Sequence, residues 1–473
     1  MTGKKSVNQR LRVLLAEADW TGQQFARAVN SVAAENGLQV RYDRTSVAHW
    51  LSGTVPRPRV RTLAAEALGR RLGRPLTPLE LGWATDAQHV PPAARPDQPH
   101  DALTRLTHLC KADSDPLQGP RLHWSVYQAT EASTPDQMVT ACTPCGDGIR
   151  PVRPAAPAAL VLSSAIPFFS MALEIGGTHA RTALAAYLSG DVTVWLRAAL
   201  PDLEAHSSLI TDASRLLYLL ARMHSDDAHD GLAQRYFRLA YDLAGTAGDP
   251  TTQATALRAM SSQAAALRHL RQSLTLAEHA RNLLPDEAPA GVHAYVISQQ
   301  AVARALAGHR SAARTALQQA ETWYRRDAAN TVTPGPTPAD FHTYTPAAWC
   351  FQRGKALAAL GERAAAVTAF RTSLAHRSMH SHRARALTQA ALTRLLLQTG
   401  HVEEACVSYR DLLDIAPHLR SARARQALLD LKRMLRPFSK TPSVRRVLDY
   451  TDHVGRQTAD EQNPYRTMRY ASQ

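Results

Sequence analysis

Aromatic residues are scarce: 8 Phe, 13 Tyr and 7 Trp make up 6% of the 473 residues, which argues against a sheet protein built on flat β surfaces. Cysteine is also rare. The five, Cys110, Cys142, Cys145, Cys350 and Cys406, are odd in number and widely scattered, which excludes a disulfide framework and suits a reducing cytoplasm. Acidic residues fall short of basic ones, 40 against 55, for a formal net charge of +15 and an isoelectric point near 10.0. That balance suits a polyanionic partner. The sequence has no long unbroken apolar run. Residues 155–173 lack charge, but Pro157, Pro167, Ser163, Ser164 and Ser170 interrupt them, so the expectation is a buried helix and no membrane span. Apolar residues near the N-terminus sit at helical spacing among charges, unlike a secretory leader. No Ser/His/Asp grouping, phosphate-binding loop or paired carboxylates occurs in a supporting context, so no catalysis and no cofactor are expected.

What is present is concentrated first in residues 43–53, Asp-Arg-Thr-Ser-Val-Ala-His-Trp-Leu-Ser-Gly. Asp43 suits a helix N-cap, Val47, Trp50 and Leu51 share one face, and Gly53 suits a left-handed close. Arg44, Thr45 and His49 are left on the opposite face, where a recognition helix presents side chains to base edges in a major groove. Ser46 and Thr54 flank them, and Arg57 and Arg59 follow as phosphate neutralisers. The basic excess is densest here, with thirteen Lys and Arg against six Asp and Glu in residues 1–83.

The surroundings extend the pattern. Val7, Leu11, Leu14, Leu15 and Ala18 predict a first helix; Thr21 with Gln24 forms a capping box for a second carrying Phe25, Ala28, Val29 and Val32. Pro58 opens a fourth that buries Val60, Leu63, Ala64, Ala67 and Leu68, and Thr77-Pro78-Leu79-Glu80 caps a short fifth. Gln24-Phe25-Ala26-Arg27, Thr45 to Gly53 and the Leu63-Ala64 helix together resemble the phage-repressor-like XRE helix-turn-helix domain. Asn30 to Tyr42 exceed that family's tight turn; they read as extra helix through Glu35, a stop at Asn36-Gly37 and a short extended piece.

Residues 85–157 are rich in Pro, Asp, Thr and Ala and read as a linker or irregular insert. Beyond them, a Gly followed five residues later by Ala opens three similar segments: Gly308 with Ala313, Leu317 and Ala320; Gly361 with Ala366, Phe370 and Ser373; Gly400 with Ala405, Tyr409 and Leu412. Two degenerate copies centre on Ser273 and Ala233. The five key positions lie about 40 residues apart, save where the insert Asn330 to Pro346 intervenes, and the arrangement resembles tetratricopeptide repeats. Such helix pairs bury their apolar faces only by stacking into a superhelix with a concave side.

Gly176-Gly177-Thr178-His179-Ala180-Arg181 through Asp191-Val192, with Gly231 to Phe237, is similar to actinobacterial regulators that join an XRE domain to tetratricopeptide-like repeats. Membership would imply transcriptional regulation, typically repression of sporulation or antibiotic production. The expectation is thus an all-α chain: a DNA-binding domain at 1–84, a linker at 85–157, repeats at 158–436, and a C-terminal helix with polar tail at 437–473. Its expected partners are double-stranded DNA, a second copy forming a homodimer, and a peptide, protein or small-molecule effector in the groove near Tyr236, Trp323, Tyr324, Trp349 and Arg353. One alternative is an interaction scaffold without operator binding. Another follows from Glu174-Ile175-Gly176-Gly177-Thr178, which superficially resembles the phosphate hairpin of sugar kinases, although no strand-rich core follows. Cys142 and Cys145 have metal-ligand spacing but no second pair, and read as exposed free thiols; His376, His380 and His382 read as surface imidazoles. No metal is expected.

Overall fold

The computed structural model describes residues 7–36, 38–83, 102–123, 125–129, 156–199, 203–330 and 344–461. They form an all-α protein; among them there is no strand, only a single bridge between Gly177 and Arg420. Cys142 and Cys145 lie outside the described residues.

The N-terminal unit contains α1 (Gln9–Glu17), α2 (Gly22–Glu35), α3 (Arg44–Leu51) and α4 (Pro58–Leu72). Its start signals act as expected. Thr21 and Gln24 exchange capping hydrogen bonds, Pro58 occupies the first turn of α4, and Gly73 closes it with φ +68°. The expected fifth helix is only a turn. Thr77 and Glu80 form the hydrogen bonds of a capping box, but Gly82, at φ +83°, ends the segment within one turn, and Leu81 and Trp83 fold back into the core.

Residues 102–123 and 125–129 correct the expectation of a linker or irregular insert for their part of 85–157, the rest of which lies largely outside the described residues. α5 (Ala102–Ser114) and α6 (Gly119–Leu122) pack into the main core through Leu103, Leu106, Leu109 and Cys110, and residues 125–129, outside any helix, add Tyr127 and Ala129 to it. The hub is Asp113, fully enclosed, whose Oδ2 lies 2.7 Å from His224 Nε2 and accepts from Tyr236 Oη at 3.0 Å, while Oδ1 accepts from Arg181 at 3.2 Å. Burial opposes its charge, but hydrogen bonds from His123 and His224 and the nearby Arg181 outweigh that and hold the carboxyl far below its usual range.

α7 (Ala156–Gly176) is also not the enclosed helix expected. Leu162, Ile166, Phe169 and Leu173 are buried, but Leu160, Phe168 and Met171 are exposed on the other side. By length and composition alone this helix could cross a membrane, with 28% of its apolar window buried. α8 (Arg181–Tyr187) continues through one π-helical turn, Leu188–Val192, into α9 (Thr193–Ala199).

The repeats follow as antiparallel pairs: α10 (Leu203–Asp226) with α11 (Asp230–Thr246), α12 (Pro250–Ala266) with α13 (Leu270–Leu283), α14 (Ala290–Leu306) with α15 (Arg310–Asn330), α16 (Pro346–Ala359) with α17 (Arg363–Ala375), and α18 (His382–Gln398) with α19 (Val402–Ile415). One corner is used five times. Ala228, Arg268, Gly308, Gly361 and Gly400 all have positive φ, between 61° and 86°. Five residues later Ala233, Ser273, Ala313, Ala366 and Ala405 each stand on the first turn of the second helix with no exposed surface. A left-handed residue turns the chain, and a small side chain then lets the paired helices approach.

α20 (Ala422–Leu435) and α21 (Pro442–Glu461) cap the stack, Val444 and Val447 entering its core. The two ends of the superhelix are tied together. The Thr178 amide and hydroxyl both donate to Arg420 O, at 2.9 and 3.0 Å, and a Cβ on Gly177 would come within 2.4 Å of that oxygen. The kinase-like string Glu174 to Thr178 is therefore a helix end and a backbone lock, with no hairpin.

Candidate nucleic-acid interface and repeat groove

α3 is fixed from its start and from below. Asp43 Oδ1 accepts from the Ser46 amide and hydroxyl, each at 2.8 Å, and these bonds hold the exposed Asp43 carboxyl below its ordinary range. The Arg44 amide donates to Gln23 Oε1 at 3.3 Å, joining α3 to the start of α2. Trp50 is 4% exposed and meets the rings of Phe25, Tyr42 and Trp83 edge-on, at centroid distances of 6.1, 5.1 and 6.0 Å. Such edge-to-face pairs orient a ring as well as bury it.

The long α2–α3 connection is pinned at its far end. Asn30 Nδ2 donates to Tyr42 O at 2.8 Å and the Tyr42 amide donates to Asn30 Oδ1 at 2.9 Å, so the extra residues leave the cap of α3 in place.

With that face occupied, Arg44, Thr45 and His49 are exposed together on the outer face of α3. Ser46 is committed to the cap; Thr54 is half-buried, its amide donating to His49 O at 2.9 Å; Arg57 and Arg59 are exposed at the start of α4. The basic residues divide by use. Arg70 pairs with Glu66 and Glu35, Arg71 bonds Ala18 O, and Arg74 pairs with Glu17, whereas Arg12, Arg27, Arg41, Arg44 and Arg57 project into solvent.

The unit is docked on the repeats through α4. His269 Nε2 lies 2.7 Å from Glu66 Oε1, both buried, and Tyr127 stacks on His269 at 5.2 Å while donating to Gln272. The segment carrying Tyr127 is held by Gln234, which accepts from the Gln128 amide at 3.0 Å and donates to Gln128 O at 2.6 Å. Gly231 allows the close approach, since a Cβ there would lie 2.1 Å from Ser125 O.

The expected groove residues separate. Tyr236 is fully buried with its hydroxyl on Asp113, so it faces no groove. Trp349 is buried and stacks on Tyr324 at 5.2 Å, and Trp323 stacks on His293 at 4.1 Å. Trp349 thus packs on Tyr324 of the preceding repeat and Trp323 on His293 within its own α14–α15 pair, where a large ring buries more area than in a wet groove; Arg353 alone is exposed.

The first helices of the pairs pack on one another and carry residues the sequence reading missed. Arg258 on α12 lies 3.9 Å over the Tyr295 ring of α14, whose hydroxyl is 2.9 Å from that of Tyr218 on α10. Burial opposes ionisation of Tyr295, yet Arg258 and Arg222 outweigh it and bring the hydroxyl below the usual phenol range. Lys355 on α16 is pushed down to about 7 by burial and by Arg258 and Arg423. Arg383 is neutralised by Asp226 at 3.0 Å and Glu174 at 3.2 Å. No helical period flags this set, because its members come from different repeats.

Residues 11–84 match the family described as the SP15 N-terminal domain. No curated protein and no solved structure matches the chain.

Proposed function

We propose that this protein is a sequence-specific DNA-binding transcriptional regulator, a repressor in its most natural mode, that works in the cytoplasm. The observation that carries the reading is α3: Arg44, Thr45 and His49 stand free on one face while Trp50 locks the other. Arg44 is the reader, offering a fork that suits guanine, with Thr45 and His49 beside it and Thr54 at the helix exit. Arg57 and Arg59 meet phosphates. Reading two half-sites requires two copies, so the functional unit is a homodimer joined through the repeats, whose α7 presents an exposed apolar face.

In this reading the repeats receive the signal. The cluster of Arg258, Lys355 and Arg423 near the inner tyrosines favours an effector bearing negative charge, whether peptide or small molecule. A ligand changes DNA affinity only by favouring one arrangement of the chain over another. The His269–Glu66 bridge is the physical link between the repeats and α4. The rival reading, a scaffold that binds no DNA, leaves the exposed face of α3 without a purpose.

The test compares Arg44→Ala and Arg57→Ala on a selected duplex and on random duplexes. Arg44→Ala should cost about 1 to 3 kcal/mol on the selected site and little on random DNA, and Arg57→Ala should weaken both alike. Equal losses on both duplexes for Arg44→Ala would remove it as a reader.

A further inference from the structure

Where α6, α10 and α11 meet, three histidines face one another. His123 follows α6, His224 lies in the last turn of α10, and His229 caps the start of α11. One ring nitrogen from each lies within 4.8 Å of the others. His224 Nδ1 and His229 Nδ1 stand 3.5 Å apart. The His123 and His229 rings are stacked at 4.0 Å and 13°. None of these residues takes part in the proposed DNA face or in the basic groove.

We propose that His123, His224 and His229 form a binding site for a divalent transition-metal ion of the zinc class. Spacing supports it. Two imidazole nitrogens bound at about 2.0–2.1 Å to one tetrahedral ion stand about 3.4 Å apart, whereas a well-made hydrogen bond would draw them to about 3 Å. The 3.5 Å between the two Nδ1 atoms is closer to the ligand spacing than to the hydrogen-bond one.

The surroundings supply what such a site needs. His224 Nε2 lies 2.7 Å from Asp113 Oδ2, so with Nε2–H donating to the carboxylate the Nδ1 lone pair is left directed at His229. A carboxylate behind a ligating imidazole fixes its tautomer and raises its basicity. Charge is also favourable: Asp113 and Asp227 contribute two negative charges, and Arg181, 3.2 Å from one and 3.5 Å from the other, contributes one positive. With neutral imidazoles the cluster keeps a net negative charge for a cation to meet. His123 Nε2 is 3.2 Å from Arg181 and 3.3 Å from Asp113, so its ring turns out of the stack with His229 when it becomes the third ligand. Three protein nitrogens would leave the fourth tetrahedral position to water.

The ion would tie the chain just before residues 125–129 to the α10–α11 corner. Those residues place Val126 against the N-terminal core and Tyr127 on His269, so occupancy would stiffen the contact that seats the N-terminal unit.

Full-length protein is stripped with chelator, loaded with Zn²⁺ or Co²⁺, dialysed and assayed for bound metal, without DNA. The expected result is close to one retained ion, a Co²⁺ spectrum of nitrogen ligation without a thiolate charge-transfer band, and a thermal midpoint raised by Zn²⁺. His229→Gln should weaken binding at least tenfold, and Asp113→Asn by about 10- to 100-fold. Cys142→Ser with Cys145→Ser should leave it unchanged. No retained metal, or retention that follows the two cysteines and shows the thiolate band, overturns the proposal. Because the spectrum is read on unsubstituted protein, the outcome does not depend on how well the variants fold.

Discussion

Replacing Trp50 by Ala isolates the force that holds α3. The ring is 4% exposed and touches three other aromatic rings drawn from α2, the α2–α3 connection and the segment after α4. Removing a buried Trp or Phe typically costs about 3 to 5 kcal/mol, and the cavity here opens between four chain segments that cannot all collapse together. The native stability of a unit the size of residues 7–83 is about 4 to 11 kcal/mol. One substitution therefore cancels at least about a quarter of it and, at the low end of that range, all of it. Hydrogen exchange followed by fragment mass spectrometry on the full chain is the assay. Amides of α1–α4 should lose protection by a factor of about 100 or more, while α10–α19 keep theirs, because the repeats have their own cores. Trp50→Phe keeps the edge-on contact with Phe25 and should lose far less. Unchanged protection in α1–α4 of Trp50→Ala would refute the view that this ring is the plug of the unit.

Further outcomes follow from the corners and the groove. Arg268 adopts φ +69° where three sister repeats use Gly, so Arg268→Gly should raise stability by about 0.5 to 1 kcal/mol in thermal unfolding, the relief of left-handed strain outweighing the added chain entropy. Lys355 has a folded pKa pushed down to about 7, below its unfolded value, so it carries charge in the folded protein only on the acid side of that point. Binding of inorganic sulfate, whose charge is constant over this range, measured calorimetrically, should therefore weaken as pH rises from 6 to 8, and Lys355→Met should flatten that dependence. A steeper dependence in the variant would remove Lys355 from the anion site.

Local signals in this sequence were legible, and non-local ones were not. Asp43, Trp50 and Gly53 specify α3 within eleven residues, since a cap, a face and a stop are each set by neighbours. The repeat corner was visible as Gly followed by Ala in three copies, and the structure shows the same corner with Ala228 and Arg268 in the degenerate two. α5 was hidden by the Pro-rich composition around it. Its Leu103, Leu106 and Cys110 do recur at helical spacing, but apart from His123 the partners of Asp113 lie 68, 111 and 123 residues away, beyond any window of periodicity. Tyr236 was misplaced for the same reason: nothing near it in sequence announces the carboxylate that receives its hydroxyl. α7 was read as enclosed because its composition is apolar all round, yet only one of its faces finds neighbours.

The central claim is that this chain reads DNA sequence through α3. Full-length protein is incubated with a pool of random duplexes at physiological salt, and the retained DNA is sequenced over successive rounds. The account predicts enrichment of one motif, built of two related half-sites, that disappears for Arg44→Ala with His49→Ala while residual binding to any duplex remains. Recovery of unenriched DNA by the native chain, or the same motif recovered by the double variant, would contradict it.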